Sequence, residues 1–167
     1  MKRLLLILTV LTAVLGFSIA AHALEIDGGS FPVNANVVPT CTIEAVGIDF
    51  GDYGGLVVEA NGSVNVTCIV ELEYQVALDI GLNGTLGRQM SDGGSNLLNY
   101  EIYQDDTVSV IWGDSCVDSA TYPSEDCTPT LVGTGSPIII PTWGQIFPNQ
   151  LVPEGPYSDT VGVTIVF

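Results

Sequence analysis

Basic side chains are almost missing from this sequence. Lys and Arg together number 3 and His 1, against 19 Asp and Glu in 167 residues, for a formal net charge of −16. Two of the bases, Lys2 and Arg3, stand directly before an apolar run from Leu4 to Ala21, which closes in Ala21-His22-Ala23, the small-x-small pattern cut by signal peptidases. Residues 1–23 are therefore expected to be a secretory signal peptide, although Leu4 to Ala21 is also just long enough to span a bilayer. Residues 24–167 then carry 19 acids against the single base Arg88, a formal charge of −18, with no histidine and no lysine. Each absence removes a class of chemistry. Without a cationic surface there is no nucleic-acid partner. Without histidine there is no Ser-His-Asp triad, no Cys-His pair and no His-ligated zinc. Without lysine there is neither a Schiff base nor a P-loop. The expectation is a non-enzyme with no cofactor and no metal.

Long apolar runs are also missing after residue 23, so nothing downstream approaches spanning length. Export suits the four cysteines, Cys41, Cys68, Cys116 and Cys127, which in an oxidising compartment read as two disulfides. Of three connectivities, Cys41–Cys68 with Cys116–Cys127 closes the shortest loops and is the one expected. A four-thiolate metal site lacks the close Cys-x-x-Cys pairs it needs.

What is present is β-sheet patterning. Period-2 alternation runs through Ser63–Cys68, Tyr74–Ile80, Tyr100–Tyr103 and Val108–Trp112. Turn chemistry separates these runs at Asn61-Gly62, Asn83-Gly84, Asp92-Gly93-Gly94, Asp105-Asp106 and Gly133-Thr134-Gly135. One all-β domain, a sandwich or barrel, is expected.

The two ends carry the functional signal. Phe31, Val33, Ala35 and Val37 alternate with Pro32, Asn34 and Asn36 ahead of Pro39 and the first cysteine, like an arm rather than a sheet centre. Thr160 to Phe167 alternates up to the last residue, leaving a flat apolar edge without Lys or Pro, which soluble monomers avoid. The plainer alternative is that both are ordinary strands of a complete sandwich.

The order Cys41-Thr42-Ile43, then Ile48-Asp49-Phe50-Gly51-Asp52-Tyr53, resembles the spore coat protein U domain, the subunit family of archaic chaperone–usher pili. Val64–Cys68, Tyr74–Gly81, Arg88-Gln89-Met90, Leu98–Tyr103 and Gly155–Val161 continue the resemblance in the family's order. It implies an incomplete immunoglobulin-like β-sandwich that lacks one strand, filled first by a periplasmic chaperone and then, at an outer-membrane usher, by the arm of the next subunit. On that reading residues 24–38 are the donor-strand arm and residues 39–167 the Ig-like domain. Phe31, Val33, Ala35 and Val37 are the inward donor set, and Val161, Val163, Ile165 and Phe167 the acceptor edge. The implied partners are identical or related pilus subunits in a homopolymeric fibre at the cell surface, the chaperone and the usher. Adhesion and biofilm formation are the implied roles. Main-chain hydrogen bonds would supply affinity and alternate side chains the register. The charge of −18 does not forbid such self-association, because exposed charges are screened beyond about 8 Å at physiological salt.

Two rivals remain: a self-contained secreted sandwich that binds carbohydrate or calcium, and a secreted spore-coat or matrix protein of the same fold. Calcium ligands could come from Asp49 and Asp52, Asp105-Asp106, or Asp114 and Asp118, none in EF-hand spacing. Trp112 and Trp143 could stack on sugars, but tryptophan in an alternating run belongs more often to a core. Asn61, Asn65 and Asn83 begin glycosylation sequons and read here as turn and strand residues. No carboxylate pair stands out as a glycosidase acid and base. Arg88, as the lone cation, is expected to meet a carboxylate. The Cys116–Cys127 segment reads as a disulfide-pinned loop for subunit-specific contacts.

Overall fold

A computed structural model describes residues 28–167. The expected signal peptide, residues 1–23, lies outside the described residues, as do residues 24–27 of the expected arm. Residues 28–36, which have no regular structure, fall in one unit, and Val37–Phe167 form the other.

That second unit is a β-sandwich with no helix among the described residues. Its strands are β1 (Cys41–Val46), β2 (Val58–Cys68), β3 (Glu73–Leu78), β4 (Gln89–Ser91), β5 (Leu97–Tyr103), β6 (Leu131–Val132), β7 (Ile138–Ile146) and β8 (Val163–Val166). One sheet runs β1-β2-β7-β5-β4 and the other β6-β3-β8, with every pairing antiparallel. Alternation explains the core: Val64, Val66 and Cys68 of β2 meet Tyr74, Val76 and Leu78 of β3, with Leu98, Tyr100 and Ile102 of β5 and Ile146 of β7 beside them.

Two expectations need correcting. Asn61-Gly62 is not a turn; it lies inside β2. Gly62 is needed there because β1 crosses it closely, and a Cβ would lie 2.5 Å from the Val46 carbonyl oxygen. Val108–Trp112 is not a strand either. The Asp105 carboxylate accepts the N–H groups of Ser109 and Val110, at 3.0 and 2.9 Å, and the hydroxyls of Thr107 and Ser109. Those bonds wind the segment into a loop, Val108 takes φ 47°, and only isolated bridges at Ile111 and Trp112 remain.

β7 is the strand that alternation did not reveal. Pro141 and Gly144 interrupt its pattern, yet it forms the middle of the larger sheet. Pro141 is tolerated because β5 pairs only with Trp143–Ile146, so the proline falls on the half with β2 as its one neighbour. Gly144 leaves a hollow that the Phe50 ring fills, edge-on to Tyr100 at 6.0 Å.

The disulfides are Cys41–Cys68 and Cys116–Cys127. The first joins directly opposed residues of β1 and β2, 4.1 Å apart at Cα. Closing its loop stabilises the fold by about 3.5 kcal/mol in the chain-entropy picture.

Candidate functional site

The site is an open groove between β1 and β8. Cys41, Ile43 and Ala45 of β1 pair with Cys68, Val66 and Val64 of β2, and paired residues share a face of the sheet. That face is the core face, for Val66 is fully buried. Ile43 beside it is nonetheless 40 % exposed, and Ala45 is exposed as well. Nothing in the second sheet lies over them, because that sheet stops at β8. In β8, Val163 and Ile165 pair with Leu78 and Val76 and so also face inward, yet both are only half-buried. The other edge of β8 has no ladder partner among the described residues. A cleft of about 310 Å³ opens there, with Val64, Leu78, Tyr100 and Ile102 in its lining and Val161 and Val163 beside them. Among the described residues the sandwich is left incomplete on this side, between β1 and the free edge of β8.

The approach to β8 is held by two contacts between a carboxylate and a glycine, Asp79 with Gly162 and Asp159 with Gly81. Asp79, just past β3, accepts the N–H groups of Gly162 at 2.8 Å and Gly81 at 2.9 Å. Asp159, ahead of β8, accepts the N–H of Leu82 at 3.0 Å, the Asn83 amide at 3.0 Å and the Tyr100 hydroxyl at 2.8 Å. Neither glycine has space for a side chain, since a Cβ on Gly81 or Gly162 would collide with Asp159 or Asp79. Burial, and then the bond to Asp159, pushes the Tyr100 phenol far above its ordinary range.

Arg88 staples the two sheets behind the groove. It is 1 % exposed, and its Nη1 contacts Glu101 Oε1 of β5 at 2.5 Å. Its other nitrogens donate to the carbonyls of Leu78 (2.9 Å), Asp79 (2.7 and 2.9 Å) and Trp112 (2.6 Å). Tyr122 places its ring 5.3 Å from the guanidinium and donates its hydroxyl to Glu101 Oε2 at 3.0 Å. Burial, then the Glu101 charge, raises the Tyr122 phenol well above its usual value. Every polar atom of this buried pair is satisfied, the condition under which such a pair is tolerated.

The proposed donor residues Phe31, Val33, Ala35 and Val37 are all exposed, Phe31 and Val33 by 82 % and 83 %. Val161, Val163, Ile165 and Phe167 fall on one line along β8 and its flanks, with Phe167 60 % exposed. The calcium candidates do not converge. Asp49 accepts the N–H of Gly51, Asp105 holds its own loop, and buried Asp114 accepts from Thr121 and Tyr122. No cluster of three metal-ligating side chains occurs among the described residues. Trp112 is fully buried and donates to the Val76 carbonyl at 2.9 Å. The residues that sequence reasoning passed over are Ile43 and Ala45, whose alternation with Cys41 was the available signal, and Asp79 and Asp159, which carry no local pattern.

A family model for the Spore Coat Protein U domain matches residues 28–164. The chain is 28 % identical to Protein U of Myxococcus xanthus, with 80 % of each chain covered. It is also similar, at TM-score 0.56 and 26 % identity, to a chain in the crystal structure of the CsuC–CsuE chaperone–tip adhesion subunit pre-assembly complex from archaic chaperone–usher Csu pili of Acinetobacter baumannii. That match covers 78 % of this chain and 40 % of the other.

Proposed function

The chain belongs to the Spore Coat Protein U domain family, and from that premise we propose that it is a structural subunit of a bacterial surface pilus assembled by the chaperone–usher route. The observation that carries this reading is the uncovered core face of β1 beside the unpartnered edge of β8. A groove of that kind takes an extended strand, hydrogen-bonded to β8 along its backbone and filling the gap with alternate side chains. The arm at residues 24–38 has the required pattern, four apolar side chains at every second position from Phe31 to Val37. Val161, Val163, Ile165 and Phe167 offer the same spacing on the acceptor side. Burying Phe31, Val33 and Val37 contributes roughly 1.5–3 kcal/mol each, and each ladder hydrogen bond about 1 kcal/mol, before the association entropy is subtracted. A one-residue slip would turn all four side chains outward, so the joint has one register.

In this scheme a periplasmic chaperone fills the groove first, an outer-membrane usher presides over the exchange, and identical or related subunits supply the lasting strand in a homopolymeric fibre. Export depends on residues 1–23 as a signal peptide, and the destination is the cell surface, where adhesion and biofilm support are the functions. The Cys116–Cys127 loop is the candidate for contacts particular to this subunit.

The test compares residues 24–167 with a rearranged chain that starts at Pro39 and carries residues 24–38 after Phe167 on a Gly/Ser linker. The first should polymerise or melt at low temperature; the second should be a monomer with a much higher Tm. A stable, cooperative monomer from the first, unimproved by the graft, would overturn the donor-strand reading. It would favour a self-contained secreted coat or matrix protein of the same fold.

A further inference from the structure

The two ends of the sandwich carry different surfaces. Cys41, Cys68, Glu73 and Val166 lie together at one end, the lower, where the arm is rooted. Val58 and Ile146 pair at the other, upper end. Just beyond them Leu56, Val57, Phe147 and Leu151 stand exposed on two loops, Leu151 completely. The loops are braced. Asn149 donates its N–H to the Gly55 carbonyl at 2.9 Å, and the Tyr53 hydroxyl donates to the Phe147 carbonyl at 3.0 Å while accepting the Gln150 N–H at 2.9 Å. A hollow of about 800 Å³ opens beside them, larger than the cleft of the groove, and shares with it the walls Ile48, Phe50, Met90 and Tyr157. Braced loops that hold an apolar rim in water mark a surface that meets a partner. The lower end is apolar too, with Val38, Val70 and Val132 exposed.

We propose that this upper end is a second interface between copies of the chain, taking the lower end of the copy whose arm fills the groove. The proposal rests on the donor-strand reading above and follows from the length of the link. Only Val38, Pro39 and Thr40 separate the last inward donor residue, Val37, from Cys41, which its disulfide to Cys68 holds to its own sheet. Four residue steps span at most about 14 Å, too little to hold the two domains apart. The arm could enter the groove in either direction, but only one direction serves a row. If Val37 emerged at the acceptor's lower end, that end would have to seat both the donor domain and the domain that receives the acceptor's own arm. With Val37 at the upper end, each subunit meets one neighbour at each end, and both apolar ends are covered. Asp49, Asp52 and Glu154 also line the hollow, and Glu71 and Glu73 stand exposed at the lower end, so the contact is favoured where salt screens them.

Fibres of the chain from residue 24 are compared with fibres of the double variant Leu56→Ser with Leu151→Ser, two exposed side chains whose truncation leaves the fold intact. The double variant should shed subunits at least about tenfold faster. Its groove should be unaltered. In a chain carrying Val33→Asp, which disables its own arm, a synthetic peptide of residues 29–37 added during refolding should bind equally well with and without the two rim substitutions. Val70→Ser at the lower end should also speed dissociation, and combining it with the rim variant should add little, because both remove one contact. Dissociation that the rim variant leaves unchanged overturns the second interface while the groove stands. A loss of peptide affinity equal to the loss in the fibre overturns it too, by making the rim part of the groove. Full additivity with Val70→Ser would mean that something other than the lower end sits on the rim, and overturns it as well. If neither fibres nor peptide binding are found, the donor-strand reading falls and the proposal falls with it.

Discussion

The carboxylate of Asp79 accepts the backbone N–H of Gly162 at 2.8 Å across a gap of 83 residues in sequence. The bond ties the end of β3 to the residue before β8, so it sets the height at which the free edge of β8 begins. Asp79→Ala leaves the Gly162 and Gly81 amides without their acceptor. The expected cost is about 1–3 kcal/mol, read as a lower urea midpoint, with weaker uptake of a donor peptide. An unchanged midpoint would show that water replaces the carboxylate fully.

Trypsin reports on the whole fold. After residue 23 its only target is Arg88, which is buried and bonded on every side. Cleavage should therefore be undetectable in the native protein and should rise with the unfolded fraction through a denaturant titration. Fast cutting of the native protein at Arg88 would mean that the segment before β4 opens locally.

Alkali should unfold the protein earlier than its acidic composition suggests. Tyr100 and Tyr122 both resist ionisation in the fold, chiefly through burial. In the unfolded chain a phenol ionises near pH 10. A raised folded value means that this stability is fully present below about pH 10 and is lost as pH climbs above it. Tm measured from pH 8 to 12 should fall beyond pH 10, and Tyr122→Phe should flatten that fall. A flat profile in the parent protein would count against the buried phenols.

Val33→Asp tests the arm without touching the groove. It would place a carboxylate among the inward donor side chains, weakening the joint by about 3 kcal/mol or more, roughly a hundredfold. The variant should still accept a wild-type donor peptide and should shorten fibres when mixed with the parent chain. Fibres of normal length made from the variant alone would exclude Val33 from the joint.

Much of the sandwich was legible because its buried strands alternate cleanly: β2, β3, β5 and the line through β8 each show period 2 in the letters. β7 was hidden by Pro141 and Gly144, residues that a sheet centre accepts only through tertiary accidents, namely a neighbour that stops short and an aromatic ring that fills the hollow. Asn61-Gly62 misled for the converse reason. The pair has turn chemistry, but Gly62 is there to let β1 pass. Val108–Trp112 has the alternation of a strand, and one carboxylate, that of Asp105, outbids the ladder for its amides. As for the site, the apolar line of β8 could be seen in sequence. The exposure of Ile43 could not, since it depends on which strand is absent from the facing sheet.

The one-sided groove has a consequence for any assembly built through it. If each subunit brings one vacancy and one arm, as proposed, every joint is head-to-tail and the two ends of a row are chemically different. A row of such subunits always has one vacancy left over at one end and one spare arm at the other. A filament built this way would have a direction, and its growth would be stopped for good only by something that plugs the last vacancy without bringing another.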